Sequence, residues 1–129
     1  MTNFHLIWEK WLEKQNAEHR NLAHYYANLL LNVDHRIYPR MSYGASFLYR
    51  FGPIGYFNTD KQGLYFGFYW GKLLLESKGA ELFEQDDRKM VKLVRLLSDS
   101  PSEDFIGNFL LLLESALEID SLKYEKNRG

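Results

Sequence analysis

Histidine is the side chain here best suited to metal binding or proton transfer, and it occurs at four positions: His5, His19, His24 and His35. Only His19 and His24 fall near each other in one helical stretch. Their five-residue spacing places them about 140° apart around a helix, whereas a chelating pair is typically spaced by four. Neither His-Glu-x-x-His nor Glu-x-x-His occurs. We therefore expect structural or solvent-exposed roles for the histidines.

Carboxylates form patterns that could share a hard cation. The i, i+4 pairs and the acidic run comprise Glu9/Glu13, Glu114/Glu118, and Glu81, Glu84, Asp86 and Asp87. Clusters of oxygen ligands bind hard cations well only where geometry fixes them. Lysines and arginines alternate with these carboxylates, which favours a solvated charged surface over a cation site.

Motifs for covalent or nucleotide chemistry are incomplete or absent. Residues 44–48 (GASFL) begin like a nucleophile elbow but lack its closing glycine. No Walker-type loop or dinucleotide fingerprint occurs. The absence of cysteine excludes thiolate nucleophiles, disulfides and cysteine-type metal sites. We therefore predict that the protein is not an enzyme.

Composition narrows the remaining classes of function. A chain of 129 residues with 46 % hydrophobic residues fits a single domain over residues 1–129. A formal net charge of −1 argues against nucleic-acid binding. The N-terminus does not resemble a signal peptide, and no apolar stretch reaches the ~18 residues that a membrane span needs. We expect a cytoplasmic protein with no cofactor and with neither nucleic acid nor membrane as a partner.

Helical periodicity occupies both ends of the chain. Residues 4–33 are predicted to be helical, either as two helices or as one helix with a polar segment near residues 15–20. The last helix is predicted to begin after Ser100 as N-cap, with Pro101 at its first position and Glu103 completing a capping box. Its predicted buried stripe comprises Ile106, Phe109, Leu110, Leu113 and Leu117.

Between the helices the apolar period changes to two. Strands are predicted over residues 42–51, 54–57, 64–70 and 91–97, with a less regular segment over residues 72–87. Helices flanking a run of strands predict an α+β fold: a two-layer sandwich with the N- and C-terminal helices packed on one face of an antiparallel sheet. The other face is then open, or is covered by residues 72–87 and a second subunit.

The aromatic segment Gly63–Gly71 suggests which sheet face could bind something. Leu64, Phe66, Phe68 and Trp70 form a core face by alternation, whereas Tyr65, Gly67 and Tyr69 form the other. Glycine inside a strand marks a place where another group approaches the backbone closely. We therefore predict that the tyrosine-bearing face receives a ligand, a partner or a covering loop.

A wider set of polar residues is predicted to share that face if Tyr43, Phe47 and Phe66 point toward the helices. The candidate ligand-binding residues are Ser42, Ser46, Arg50, Tyr65, Tyr69 and Arg95. Hydroxyl groups beside arginine suit an anionic or polar ligand because they place several donors around a charge. The alternatives are an ordinary solvated sheet face and a homodimer interface, where tyrosine is enriched.

Four segments in the middle of the chain resemble the YdhG-like family, a bacterial domain of unknown function. These are residues 42–47 (SYGASF), 55–57 (GYF), 68–74 (FYWGKLL) and 88–95 (RKMVKLVR). The resemblance covers roughly residues 36–97. It implies a two-layer α+β sandwich with helices packed on an antiparallel sheet.

The same resemblance implies an alternative function, because some members of the family are described as frataxin-like iron chaperones. Proteins of that type bind ferrous iron through surface carboxylates. The carboxylates of this chain that could serve are Glu9, Glu13, Glu81, Glu84, Asp86 and Asp87, the last four being the predicted metal ligands. The first expectation remains a non-enzymatic module that binds an unknown ligand or protein through the tyrosine-bearing face. Iron chaperone activity is the alternative, with iron as its metal.

Overall fold

The structure is a computed structural model that describes residues 9–42, 45–96 and 102–125. The helices with full bounds in these ranges are α1, Ala17–Val33, and α2, Glu103–Tyr124. The strands are β1, Tyr38–Ser42; β2, Ala45–Tyr49; β3, Pro53–Asp60; β4, Gly63–Phe68; and β5, Lys92–Arg95. Residues 9–12 are helical, and two short 3-10 helices, Gly71–Leu74 and Ala80–Leu82, lie between β4 and β5.

The five strands form one antiparallel sheet in which each strand pairs with its neighbour along the chain, in the order β1-β2-β3-β4-β5. Both helices pack against one face of this sheet. The ring of Phe109 in α2 lies 5.8 Å from Phe66 of β4 and 5.3 Å from Tyr26 of α1, measured between centroids. The predicted α+β sandwich, with both helices on one sheet face, is confirmed.

The single strand predicted over residues 42–51 is wrong in its extent. The structure has two strands in this region, and their register pairs Ser42 with Ala45 and Tyr38 with Tyr49. Residues 43 and 44, which join the strands, lie outside the described residues. Because Ser42 pairs with Ala45, the positions on one sheet face are even-numbered in β1 and odd-numbered in β2. The alternation therefore changes phase at the hairpin, and a single alternating strand drawn through both segments does not show that change.

The helix boundaries follow side-chain capping. Asn16 caps α1 by accepting a hydrogen bond from the His19 amide at 2.8 Å, which separates α1 from residues 9–12. Ser102, and not the predicted Ser100, caps α2 by accepting from the Phe105 amide at 3.0 Å. Either serine is followed by residues that favour a helix start, so the sequence pattern placed the N-cap two residues too early. Ser100 itself lies outside the described residues.

The buried stripe of α2 is shifted slightly from the predicted one. Phe109, Leu113 and Leu117 are buried as predicted, while Ile106 and Leu110 are partly buried against the core. The other buried residues of this helix are Leu112, Ala116 and Asp120. A buried aspartate in line with the apolar stripe is the feature that departs most from the sequence expectation.

The segment between β4 and β5 lies against α2 around Gly79, whereas nearer β5 it reaches the opposite sheet face, where Glu84 pairs with Arg95. Gly79 adopts a φ of +93°, and a Cβ at this position would lie 2.4 Å from the Asn108 carbonyl oxygen of α2. Glycine is therefore required here by both backbone conformation and space. Phe83, farther along, packs 5.9 Å from Phe68 in the core and forms a β-bridge with Val94.

Candidate functional site

The sheet register divides the strand residues between two faces. Ser46, Phe57 and Phe66 align across β2, β3 and β4, and Phe66 packs against α2, so this is the helix face. The next residues along β2 and β3, Phe47 and Tyr56, align on the opposite side. We call that side the outer face. Its ring-bearing and cationic side chains are Tyr38, Arg40, Phe47, Tyr49, Tyr56, Tyr65, Tyr69 and Arg95.

Aromatic rings of the outer face contact one another in a continuous chain across the strands. Phe47 is its centre, stacked on Tyr56 with 4.8 Å between ring centroids and 6.2 Å from Tyr49. Tyr49 continues to Tyr38 at 6.0 Å, and Tyr56 to Tyr65 at 6.1 Å. Phe47 and Tyr65 are buried by these neighbours. Tyr49 and Tyr56 are half-buried, and Tyr38 is exposed.

Gly67 allows this arrangement. A Cβ on Gly67 would lie 2.8 Å from the ring of Tyr56, so only glycine lets that ring lie flat on the β4 backbone. The sequence predicted that something approaches the backbone at this glycine. The structure identifies it as a tyrosine of the same chain. Burial of the Tyr56 phenol is the main reason that its pKa is raised above the ordinary value.

Arginine side chains lie over two rings at the margin of the outer face. The Arg40 guanidinium is 4.9 Å from the ring centroid of Tyr49, and that of Arg95 is 5.5 Å from Tyr65. Such cation–π contacts hold both partners in fixed orientations. Two of the tyrosines are therefore positioned from one side by an arginine.

Arg95 is fully engaged within the chain. Its guanidinium donates to both carboxylate oxygens of Asp60 at 2.7 and 3.0 Å and to both of Glu84 at 3.0 Å. It also donates to the Gly63 carbonyl oxygen at 3.0 Å. These bonds raise the pKa of Arg95 and lower the pKa of Asp60. Arg95 thus joins the β3–β4 turn to the segment after Phe83, in addition to lying on the predicted face.

The predicted grouping of six ligand-binding residues is not assembled. Tyr65, Tyr69 and Arg95 are on the outer face, as predicted. Ser46 and Arg50 are on the helix side, so the prediction that they share the tyrosine face is wrong. The side chain of Ser42 lies outside what the structure describes. The error arose because alternation separates two sets of residues without showing which set faces the helices.

Arg50 belongs to a buried ionic network and not to the predicted ligand site. Its side chain is 6 % exposed and donates to Asp120 at 3.0 Å and to Asp34 at 2.8 Å. It also donates to the Leu117 carbonyl oxygen at 2.6 Å and to Ser121 Oγ at 2.7 Å. This network ties the end of β2 to both helices. Hydrogen bonding from Arg36 and Arg50 holds the pKa of the Asp34 carboxyl well below its usual range, Arg36 contributing more.

Asp120 and Asp34 are residues of this network that sequence reasoning missed. Asp120 is fully buried and accepts from the amides of Phe51 at 3.0 Å and Gly52 at 2.8 Å. A signal for it was present, because Asp120 follows Leu113 and Leu117 along the apolar stripe at helical spacing. A charged residue in such a stripe indicates a buried partner of opposite charge.

The four predicted metal ligands are not brought together. Glu84 is paired with Arg95 at 3.0 Å, and Asp86 with Arg88 at 2.8 Å. Glu81 and Asp87 are exposed. Within residues 9–42, 45–96 and 102–125, no group of three or more histidine or acidic side chains is placed to hold a metal ion. The iron alternative therefore has no preformed ligand set in this part of the chain.

No helix in the described ranges is both long and apolar enough to cross a membrane.

Comparison with known proteins adds no further assignment. No protein-family model matches the chain, and neither a curated protein nor a solved structure shows significant similarity to it.

Proposed function

We propose that the protein is a non-enzymatic binding module that holds a peptide or protein partner on its outer face. The observation that carries this proposal is the continuous chain of aromatic rings on the sheet face opposite the helices. Tyr38 is 45 % exposed at one end of that chain, and Tyr49, Tyr56 and Tyr69 are half-buried along it. Tyrosine offers a large contact area and a hydroxyl group at a small cost in conformational entropy.

The rigidity of these rings supports the same proposal. Tyr56 is stacked on Phe47, and Tyr49 lies between Phe47 and the Arg40 guanidinium. Side chains that are already ordered lose little entropy when a partner binds, so more of the contact energy remains as affinity.

Selection from a random peptide library displayed on phage tests the proposal. The bait is the wild-type protein, and the selected peptides are then measured by fluorescence anisotropy against Tyr38→Ala and Tyr49→Ala. We expect each variant to weaken binding by about tenfold, since a well-packed aromatic contact contributes about 1–2 kcal/mol. Tyr38 is 45 % exposed and Tyr49 is only half-buried, so the fold is expected to persist.

Tyr25→Ala is the matched control, because Tyr25 is 44 % exposed on α1, away from the outer face. Peptide affinity should be unchanged in this variant. Peptides that bind all three variants equally, or a failure to select any peptide, would contradict the proposal. Circular dichroism of each variant confirms that loss of binding does not reflect unfolding.

A further inference from the structure

Arg40 differs from the other arginines of the described chain. Arg36, Arg50, Arg88 and Arg95 each form an ion pair with a carboxylate. A fifth, Arg20, donates to a backbone carbonyl oxygen. Arg40 is exposed, and within the described residues it has neither an ion pair nor a hydrogen bond; its contact is with the ring of Tyr49.

The charges near the outer face are distributed unevenly. On the β4–β5 side, Asp60, Glu84 and Asp86 are each paired with Arg95 or Arg88. On the β1–β2 side, the register places Arg40 beside Phe47 and two residues from Tyr38, and the described strand residues there include no carboxylate. The unpaired positive charge therefore lies at the same end of the face as the most exposed tyrosine.

We propose that the β1–β2 side of the outer face binds an acidic peptide segment, with Arg40 pairing with a carboxylate of that segment; this inference rests on the proposed function. Arg40, held over Tyr49, presents a planar guanidinium whose geometry matches a carboxylate. Tyr38 and Tyr49 supply the adjoining apolar contact. The charge of the site thus selects which peptides the aromatic face accepts.

Two observations restrict how a partner binds and of which class it is. Pro39 lacks an amide hydrogen, and proline in a sheet directs this missing donor away from its paired strand, so the free edge of β1 is a poor template for a further strand. The acidic segment therefore contacts side chains on the face. A nucleic acid is disfavoured because phosphate recognition requires several clustered cations and this side of the face has one unpaired arginine.

Three fluorescent probes test the proposal by anisotropy. The first is a ten-residue peptide alternating glutamate with leucine, the second replaces each glutamate with lysine, and the third is a ten-nucleotide single-stranded DNA. We expect the wild-type protein to bind the acidic peptide at least tenfold more tightly than the lysine peptide. Arg40→Ala should weaken acidic-peptide binding about fivefold, and Arg40→Glu should weaken it more than tenfold.

Lys61→Glu is the control for Arg40→Glu, because it makes the same change in net charge at an exposed turn between β3 and β4. It should change acidic-peptide affinity less than twofold. Equal binding of both peptides, equal effects of the two charge reversals, or tighter Arg40-dependent binding of the DNA would each overturn the inference. So would failure of the acidic peptide to bind.

The outcomes separate this inference from the proposed function. If library-selected peptides depend on Tyr38 but show no dependence on Arg40, the outer face binds partners and the acidic specificity is wrong. If selected peptides depend on neither residue, both the binding face and its specificity are wrong.

Discussion

Replacement of Arg50 by methionine tests whether the buried ionic network stabilises this fold. The substitution keeps an unbranched side chain of similar length and removes four hydrogen bonds, to Asp120, Asp34, Leu117 and Ser121. Asp120 has no solvent exposure, so its charge loses its partner in a place that water does not reach. Removing one member of a buried pair costs about 3–5 kcal/mol.

The structure places the expected loss at the lower end of that range. Asp120 retains the amide donors of Phe51 and Gly52, and Asp34 retains its bond to Arg36 at 2.9 Å. We therefore expect Arg50→Met to lower the free energy of unfolding by ~3 kcal/mol. With a urea dependence of about 2 kcal/mol per molar, the unfolding midpoint should fall by roughly 1.5 M.

Urea denaturation followed by circular dichroism measures this change. Arg36→Met is the matched control, because Arg36 pairs with the same Asp34 but has a side chain 53 % exposed. An exposed ion pair contributes at most about 1 kcal/mol. A loss in Arg50→Met no larger than that in Arg36→Met would refute the argument from burial. A double-mutant cycle with Asp120→Asn should yield a coupling energy of about 1–3 kcal/mol.

Two further predictions concern pH and backbone conformation. Hydrogen bonding from Arg95 lowers the pKa of Asp60 in the folded state, so the unfolded chain takes up a proton first as pH falls. The resulting stabilisation is complete well above pH ~3.9, the pKa of an unperturbed aspartate, and is lost as pH falls below it. The decrease in unfolding free energy between pH 6 and pH 3 should therefore be smaller in Asp60→Asn than in the wild type. Gly79→Ala should destabilise the protein by about 2 kcal/mol or more in urea titrations, because of its positive φ and the contact with the Asn108 carbonyl oxygen. Gly107→Ala, in α2 next to Asn108 and with open space at its Cβ, should instead be neutral or stabilise by up to about 1 kcal/mol. A pH dependence that is the same in Asp60→Asn as in the wild type, or equal effects of the two alanines, would contradict these accounts.

The elements with strong local signals could be predicted from the sequence. The α+β class follows from helical periodicity at both ends and period-two segments between them, and the structure confirms it. β1 was missed because Pro39 and the preceding helix end suggest a break, and because one alternation was continued from Ser42 into β2, although the pairing of Ser42 with Ala45 shifts its phase by one residue.

The outer face could be predicted only in part. Tyr65 and Tyr69 alternate with core residues, so their shared face was visible in the sequence. The orientation of β2 was not, because its larger residue Phe47 faces outward while Ser46 faces the helices. Arg50 and Asp120 lie 70 residues apart, and no local pattern connects residues at that separation.

The sequential strand order has a consequence for synthesis of the chain. Each strand can pair with the one before it as soon as it is made, because every hairpin joins neighbours. The helix face of the sheet, however, needs Phe109 and Leu113 from α2, and the network around Arg50 needs Asp120. We therefore expect the nascent protein to carry a formed sheet whose helix face is covered by α1 alone until α2 leaves the ribosome. During that interval its apolar helix face is available to chaperones and to aggregation.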